Sequence, residues 1–200
     1  MRPSEMLKSM FFLLPAVLFT ASCGENIPPE RLESHAAQAV QLFEEVCVGN
    51  NGNPQNVAAW AAQQQLPMLG EAAVKNLPLG MMELDAQAVW TVEKDGATFY
   101  ISTAPGSCSV KTPRADHQAA RQYFVALAEK GRAGATAMLR ADNGVSSPFP
   151  FNQLVYGWHA NGADEEILLT ANTSPSEHVP AQLALYLTRQ PLGMKVIGGQ

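Results

Sequence analysis

The sequence predicts an α+β fold: an antiparallel sheet of five to six strands in two meanders, with N-terminal helices and one middle helix packed mainly on one face. Two hairpin signals, Asp95-Gly96 and Asn161-Gly162, lie between runs of alternating apolar residues. Apolar residues at helical spacing precede the first hairpin and separate it from the second. Hydrophobic residues make up 46% of the chain, so we assign residues 32–200 to a single globular domain.

Helical periodicity predicts the helices in chain order. The first spans Leu32 to Val48 and places Cys47 on or beside its buried stripe. Asn53 is a predicted N-cap followed by proline at the first helical position, which starts a second helix. A third, short helix runs from Leu69 to Lys75, and the middle helix runs from Pro113 to Lys130.

The first meander follows from its turns. Pairing outward from the first hairpin turn sets Val92 opposite Phe99. A second tight turn at residues 105–106 sets Thr103 opposite Cys108. Cys108 then lies on the same face as the apolar strand residues, which the first helix is predicted to cover.

The second meander is built around the other hairpin turn. Pairing outward from it sets Tyr156 opposite Ile167 and places His159 opposite Asp164. Alternating leucines from residue 183 to 187 predict the last strand. Asp164 is also the first residue of an acidic run, 164–166, close to this turn. We expect this run to be a solvated edge, and the alternative is an acidic docking patch for a basic partner.

The segment between the middle helix and the second hairpin has a weaker pattern. Ala135 to Ala141 predicts one or two helical turns, followed by loop. The proline-rich stretch that follows places Phe149 and Phe151 in a loop, where exposed aromatic rings are candidate contacts for a partner protein. The alternative is that both rings fold back and cap the core.

The N-terminal 22 residues have the pattern of an export signal. Arg2 and Lys8 precede an apolar run from Met10 to Ala21. This run, about 12 residues, is too short for a membrane-spanning helix, which needs about 20. Residues 1–22 are therefore predicted to be removed as a signal peptide.

The junction at residues 20–23, Thr-Ala-Ser-Cys, resembles the lipobox of bacterial lipoproteins. The resemblance implies cleavage before Cys23 and attachment of acyl chains such as palmitate to that cysteine, with residues 23–31 as a tether. It also implies a periplasm-facing protein at the outer membrane, because Gly24 rather than Asp follows the cysteine. The alternative is a periplasmic protein without lipid.

Three cysteines in an exported chain leave one without a disulfide partner. If Cys23 carries lipid, Cys47 and Cys108 remain as a pair in an oxidising compartment. The alternative pairs Cys23 with one of the other two. The predicted fold favours the bond between Cys47 and Cys108, because both face the same core.

Motifs for catalysis, metal binding or cofactor binding are not predicted. The four histidines show no spacing that places two imidazoles on one metal, so we predict no metal site and no cofactor. No nucleophile motif surrounds Ser107 or Ser109. A net charge of −5 without a basic cluster argues against nucleic acids and against adsorption to anionic lipid.

The predicted function is therefore non-catalytic binding of another envelope protein, in an accessory, inhibitor or immunity role. Membrane association is expected through the acyl anchor alone. Two alternatives remain open. One is an envelope hydrolase with a noncanonical site that uses His117 or His159 with a nearby acid. The other is a carrier for a small apolar ligand.

Overall fold

The computed structural model describes residues 26–194. The predicted signal peptide and Cys23 lie outside these residues. The helices are α1 (Pro29–Phe43), which continues as a π-helical turn (Glu44–Val48), α2 (Pro54–Gln63), α3 (Glu71–Lys75) and α4 (His117–Lys130). The strands are β1 (Ala88–Lys94), β2 (Ala97–Ala104), β3 (Ser107–Thr112), β4 (Ala135–Val145), β5 (Phe151–Ala160), β6 (Glu165–Thr173) and β7 (Leu183–Pro191). No helix among residues 26–194 is long and apolar enough to cross a membrane.

The predicted α+β class is confirmed, and the sheet is antiparallel throughout. It has seven strands rather than five or six, in the order β1-β2-β3-β7-β6-β5-β4. The two meanders form one continuous sheet because the last strand returns to the centre and pairs with β3. Leu185 of β7 thereby lies opposite Val110 of β3.

The additional strand is β4, where the sequence predicts a helical turn. Its alanine, methionine, leucine and arginine residues have good helix propensity, and that local preference is overridden by pairing with β5. Ala137 lies opposite Trp158, and Asp142 lies opposite Leu154. The register shifts between Leu139 and Ala141, which is the mark of a β-bulge.

The first meander has the predicted register, and the second does not. Val92 faces Phe99 and Thr103 faces Cys108, as expected. In the second meander Tyr156 faces Leu169 instead of Ile167. The β5–β6 connection contains four residues, 161–164, instead of two, so every pair is displaced by two positions.

Helices α2 and α4 begin at side-chain caps. The Asn53 side chain accepts a hydrogen bond from the Asn56 backbone N–H at 3.0 Å and caps α2 as predicted. Helix α4 begins at His117, later than the predicted Pro113. The later start has a local cause, because the Asp116 carboxylate accepts hydrogen bonds from the backbone N–H groups of Gln118 and Ala119 and so caps the helix at this point.

The main core lies between one face of the sheet and helices α1 and α4. Fully buried rings at its centre are Phe43 of α1 and Phe124 of α4. The predicted disulfide is present: Cys47 and Cys108 are bonded, with Cα atoms 5.5 Å apart and a sequence separation of 61. It joins the π-helical turn after α1 to strand β3, which lies near the middle of the sheet.

Candidate functional site

The two edges of the sheet differ in how they are protected. Strand β1 has a neighbour on its outer side, because Met68 forms a bridge with Trp90 and the Leu69 N–H donates to Val89 O at 2.8 Å. Strand β4 pairs only with β5 within residues 26–194. An edge strand that is not covered presents a row of free backbone N–H and C=O groups to a partner strand.

Strand β4 also carries exposed apolar side chains. Met138 is 53% exposed and Leu139 is 51% exposed. Val145 at the end of the strand is 40% exposed. Large apolar residues along an open edge are unusual in a soluble domain, because such edges are normally protected by charge or by a covering segment.

Leu139 lies on the side of the sheet that faces α4. It is opposite Tyr156, whose ring packs edge-on against Phe124 of α4 with centroids 6.3 Å apart. The exposed surface of α4 beside this edge holds an open groove of about 580 Å³, lined by α4 residues that include Val125 and Ala126. Arg121 lines this groove and contacts Asp142 of β4, so the strand edge and the groove form one surface, which we name the β4–α4 surface.

The bulge in β4 sends neighbouring charges to opposite faces of the sheet. Asp142 meets Arg121 of α4, with Nη1–Oδ1 and Nη2–Oδ2 distances of 2.9 and 2.6 Å. The hydrogen bonds from Arg121 hold the pKa of Asp142 below its usual value. Arg140, two positions earlier, reaches Glu166 on the other face at 2.5 Å. The bulge supplies the extra residue that makes both contacts available.

Glu166 corrects the expectation of a solvated acidic edge. Its side chain is 1% exposed, and Gln190 Nε2 donates to Glu166 Oε1 at 2.9 Å. The ion pair between Glu166 and Arg140 crosses Gly157, where an added Cβ would lie 2.8 Å from Arg140 Nε and 2.9 Å from Glu166 Oε2. Asp164 and Glu165 remain exposed, as predicted.

A second buried charged group lies on the sheet face opposite the main core. Lys111 is 3% exposed at its side chain, and its Nζ lies 2.9 Å from Glu83 Oε1. The Ser102 hydroxyl donates to Glu83 Oε2 at 2.6 Å and also lies 2.7 Å from the Ser109 hydroxyl. Lys111 Nζ lies 5.1 Å from the centre of the Tyr186 ring.

These contacts set the protonation of the group. Burial alone would raise the pKa of Glu83, but the charge of Lys111 and the hydrogen bonds from Ser102 and Lys111 hold that pKa below its usual value. Burial raises the pKa of Tyr186. Lys111 Nζ and the Ser102 hydroxyl both contact the Glu83 carboxylate, so these side chains form one buried polar network.

The aromatic residues predicted as partner contacts lie near the β4–α4 surface. Phe149 is 40% exposed and its ring lies 5.8 Å from the His178 ring. Phe151 is half-buried, because it opens strand β5 and lies opposite Val145. The loop therefore presents one ring to solvent and draws the other into the hairpin.

The two histidines of the hydrolase alternative are on different elements. His117 is the first residue of α4, beside the capping Asp116. His159 lies opposite Glu166 rather than the predicted Asp164, because of the longer turn, and its Nδ1 is buried without a hydrogen-bond partner. The structure does not bring His117 and His159 into one site.

Sequence reasoning missed the β4–α4 surface because it placed a helical turn in β4. One signal was available: Val125, which is partly buried, and Ala126, which is exposed, lie among polar residues of α4 and are not among its fully buried positions. Within residues 26–194, no cluster of three or more histidine, cysteine or acidic residues is arranged to hold a metal ion.

Comparison with known proteins found no matching family model, no matching curated protein and no matching solved structure.

Proposed function

We propose that this protein acts without catalysis, by binding an extended segment of another cell-envelope protein along β4, while acyl chains on Cys23 hold it at the periplasmic face of the outer membrane. The observation that carries the binding proposal is the open edge of β4, with Met138 and Leu139 exposed, in a sheet whose other edge is covered.

Backbone chemistry selects an extended partner. Each free N–H and C=O along β4 can form a ladder hydrogen bond only with another strand, and strand addition is a common mode of peptide recognition. Side chains of an added strand alternate between the two faces of the sheet. Those on the helix side would lie beside Leu139 and reach the groove on α4, which favours apolar residues at alternate positions of the partner segment.

Phe149 extends this surface beyond the end of β4. Its exposed ring lies in the loop that joins β4 to β5, on the same hairpin as Val145. Aromatic residues are frequent anchors in protein interfaces because they bury a large area at low conformational cost. Phe151 contributes by holding the hairpin, since it is half-buried.

The envelope location rests on two observations. The lipobox-like sequence at residues 20–23 supports export and acylation. The bond between Cys47 and Cys108 supports a compartment in which disulfides persist. Both observations agree with a tethered domain that meets its partner outside the cytoplasm.

Site-specific photo-crosslinking in intact cells tests the proposal. A photoreactive amino acid at Met138 is expected to crosslink to one envelope protein, whereas the same probe at Leu79, which is 91% exposed on a different segment, is not. The crosslinked partner is then purified, and its affinity is measured for Leu139→Glu, Phe149→Ala and the control Leu79→Glu.

Leu139→Glu is expected to weaken binding at least tenfold, about 1.4 kcal/mol, because a carboxylate would be desolvated beside the groove. Phe149→Ala is expected to weaken binding without lowering the melting temperature. Unchanged affinity for Leu139→Glu, or an equal loss for Leu79→Glu, would contradict the proposal. If the Met138 probe crosslinks only to a second copy of this chain, the occupant is the same edge of another molecule and the heterologous partner is rejected.

A hydrolase is the competing proposal, and one observation favours it: His159 has an unpartnered buried Nδ1 and faces Glu166 across the strand pair. Replacing both His117 and His159 with alanine separates the two proposals. The binding proposal expects full partner affinity and an unchanged cellular phenotype in a variant of unchanged stability. Loss of the phenotype with intact binding would favour the hydrolase.

A further inference from the structure

Arg132 and Arg189 differ from most other basic side chains among residues 26–194, because neither has a carboxylate at hydrogen-bond distance. Several lysines and arginines lie within 2.9 Å of a carboxylate, namely Lys75, Lys111, Arg121, Lys130 and Arg140. Arg132 has no carboxylate within 4.0 Å among residues 26–194, and the one near Arg189 is Glu165, at 3.8 Å. In a chain of net charge −5, the positive charges of these two guanidinium groups therefore have no carboxylate partner at hydrogen-bond distance among the described residues.

Both groups converge on one residue, Asn51. Arg132 Nη1 donates to Asn51 Oδ1 at 2.6 Å. Arg189 donates to Asn51 O from Nε at 3.3 Å and from Nη2 at 3.1 Å. Asn51 is fixed by a tight turn after the π-helical segment, in which its N–H donates to Val48 O at 3.0 Å. The two charges are therefore held in place by a backbone turn.

The arginines line a cavity of about 370 Å³, within the range of small-molecule sites. The cavity is formed where the turn after the π-helical segment, the α4–β4 connection and the β5–β6 connection meet. Its apolar walls include Ala135, Ile167 and Trp158. The Trp158 Nε1–H already donates to Ala128 O at 2.8 Å, so this side chain offers only its apolar ring to a ligand.

We propose that this cavity binds a carboxylate carried on a small apolar group. Arg132 and Arg189 would hold the carboxylate with their remaining N–H donors, and the apolar wall would receive the hydrocarbon part. Two guanidinium groups and the Glu165 carboxylate leave a local charge of +1, which one carboxylate neutralises. The proposal is independent of partner binding at the β4–α4 surface.

Calorimetric titration of the processed full-length protein with 4-methylpentanoate tests the proposal, with the uncharged 4-methylpentanamide as the matched ligand. The acid is expected to bind and the amide to bind at least tenfold more weakly. Arg132→Gln and Arg189→Gln are each expected to weaken binding of the acid about tenfold, since each removes a charge-assisted contact. Lys75→Gln, which removes the same charge on α3, is the control and should bind as the wild type does.

Glu165→Gln gives a test that does not depend on the contacts to Asn51. The Glu165 carboxylate is 62% exposed. Because it repels a bound acid, its removal is expected to raise the affinity for the acid roughly twofold to fivefold. Equal binding of acid and amide, an equal loss for Lys75→Gln, or unchanged affinity in a folded Glu165→Gln would overturn the proposal. No heat of binding at about 10 mM acid would overturn it as well.

A free acid and the carboxyl end of a peptide share this chemistry. An acetylated tripeptide that ends in leucine is therefore titrated with a free and with an amidated carboxyl end. Binding of the free form at least tenfold tighter than that of 4-methylpentanoate assigns the ligand as a chain end. Equal affinity for the free tripeptide and 4-methylpentanoate assigns it as a small acid.

Discussion

Removing the bond between Cys47 and Cys108 is expected to destabilise the domain strongly. The bond closes a loop of 61 positions, and the chain-entropy relation for such a loop gives about 4 kcal/mol at 25 °C. Native domains are stable by only about 5–15 kcal/mol, so this one bond accounts for a large share of the total. Both cysteines are fully buried, so we expect the loss of stability to come from the missing cross-link and not from contacts at the protein surface.

Urea unfolding measures the effect. With a slope of about 2 kcal/mol per molar urea, a loss of about 4 kcal/mol lowers the unfolding midpoint by about 2 M. The wild type is compared with itself in reductant and with the double variant Cys47→Ala/Cys108→Ala. Reduction removes only the cross-link, whereas the double variant also leaves a small cavity, so the variant should unfold at a slightly lower urea concentration.

Cys23→Ala is the control that separates the alternative pairings. If Cys23 takes part in no disulfide, this substitution leaves the midpoint unchanged. A midpoint shift below about 0.5 M in both the reduced protein and the double variant would refute the entropy argument. A large shift in Cys23→Ala would show that the bond between Cys47 and Cys108 does not hold the native chain.

Two further predictions concern the other face of the sheet. Gly157→Ala should destabilise the protein by about 1–3 kcal/mol, measured by urea unfolding, because the added Cβ would enter the buried ion pair between Arg140 and Glu166. The control is Gly70→Ala, whose Cβ would meet no atom within 4 Å and which should change stability by less than about 0.5 kcal/mol. The lowered pKa of Glu83 stabilises the fold above the ordinary glutamate pKa, and this contribution is lost as the pH falls through the folded pKa. The stability difference between wild type and Glu83→Gln should therefore shrink below pH 4.5, and a difference independent of pH would contradict the pairing with Lys111.

The first meander was predictable because its turns fix its register locally. Asp95-Gly96 forms a two-residue turn with positive φ at both positions, so the pairs Val92 with Phe99 and Thr103 with Cys108 follow by counting. The cysteine pair was predictable from the same counting, combined with the helical stripe that carries Cys47.

The register of the second meander depends on the length of its turn, and the formation of β4 depends on contacts between residues far apart in sequence; a local sequence pattern predicts neither. Ala163 N–H donates to Ala160 O at 3.1 Å and widens the turn to four residues, which displaces every following pair. Strand β4 has helix-forming residues and becomes a strand only because β5 is present to pair with it. The burial of Glu166 likewise depends on Arg140, 26 positions away, and on a glycine between them.

The bulge at Arg140 limits what can bind to β4. An added strand has strict two-residue alternation, whereas the alternation of β4 shifts at the bulge, so a partner in phase with one half is out of phase with the other. Each half, residues 135–139 or 141–145, spans about 17 Å at 3.4 Å per residue. The part of a docked segment that pairs with β4 through ladder hydrogen bonds is therefore short, and continuous stacking of strands from many molecules onto this edge is blocked at the bulge.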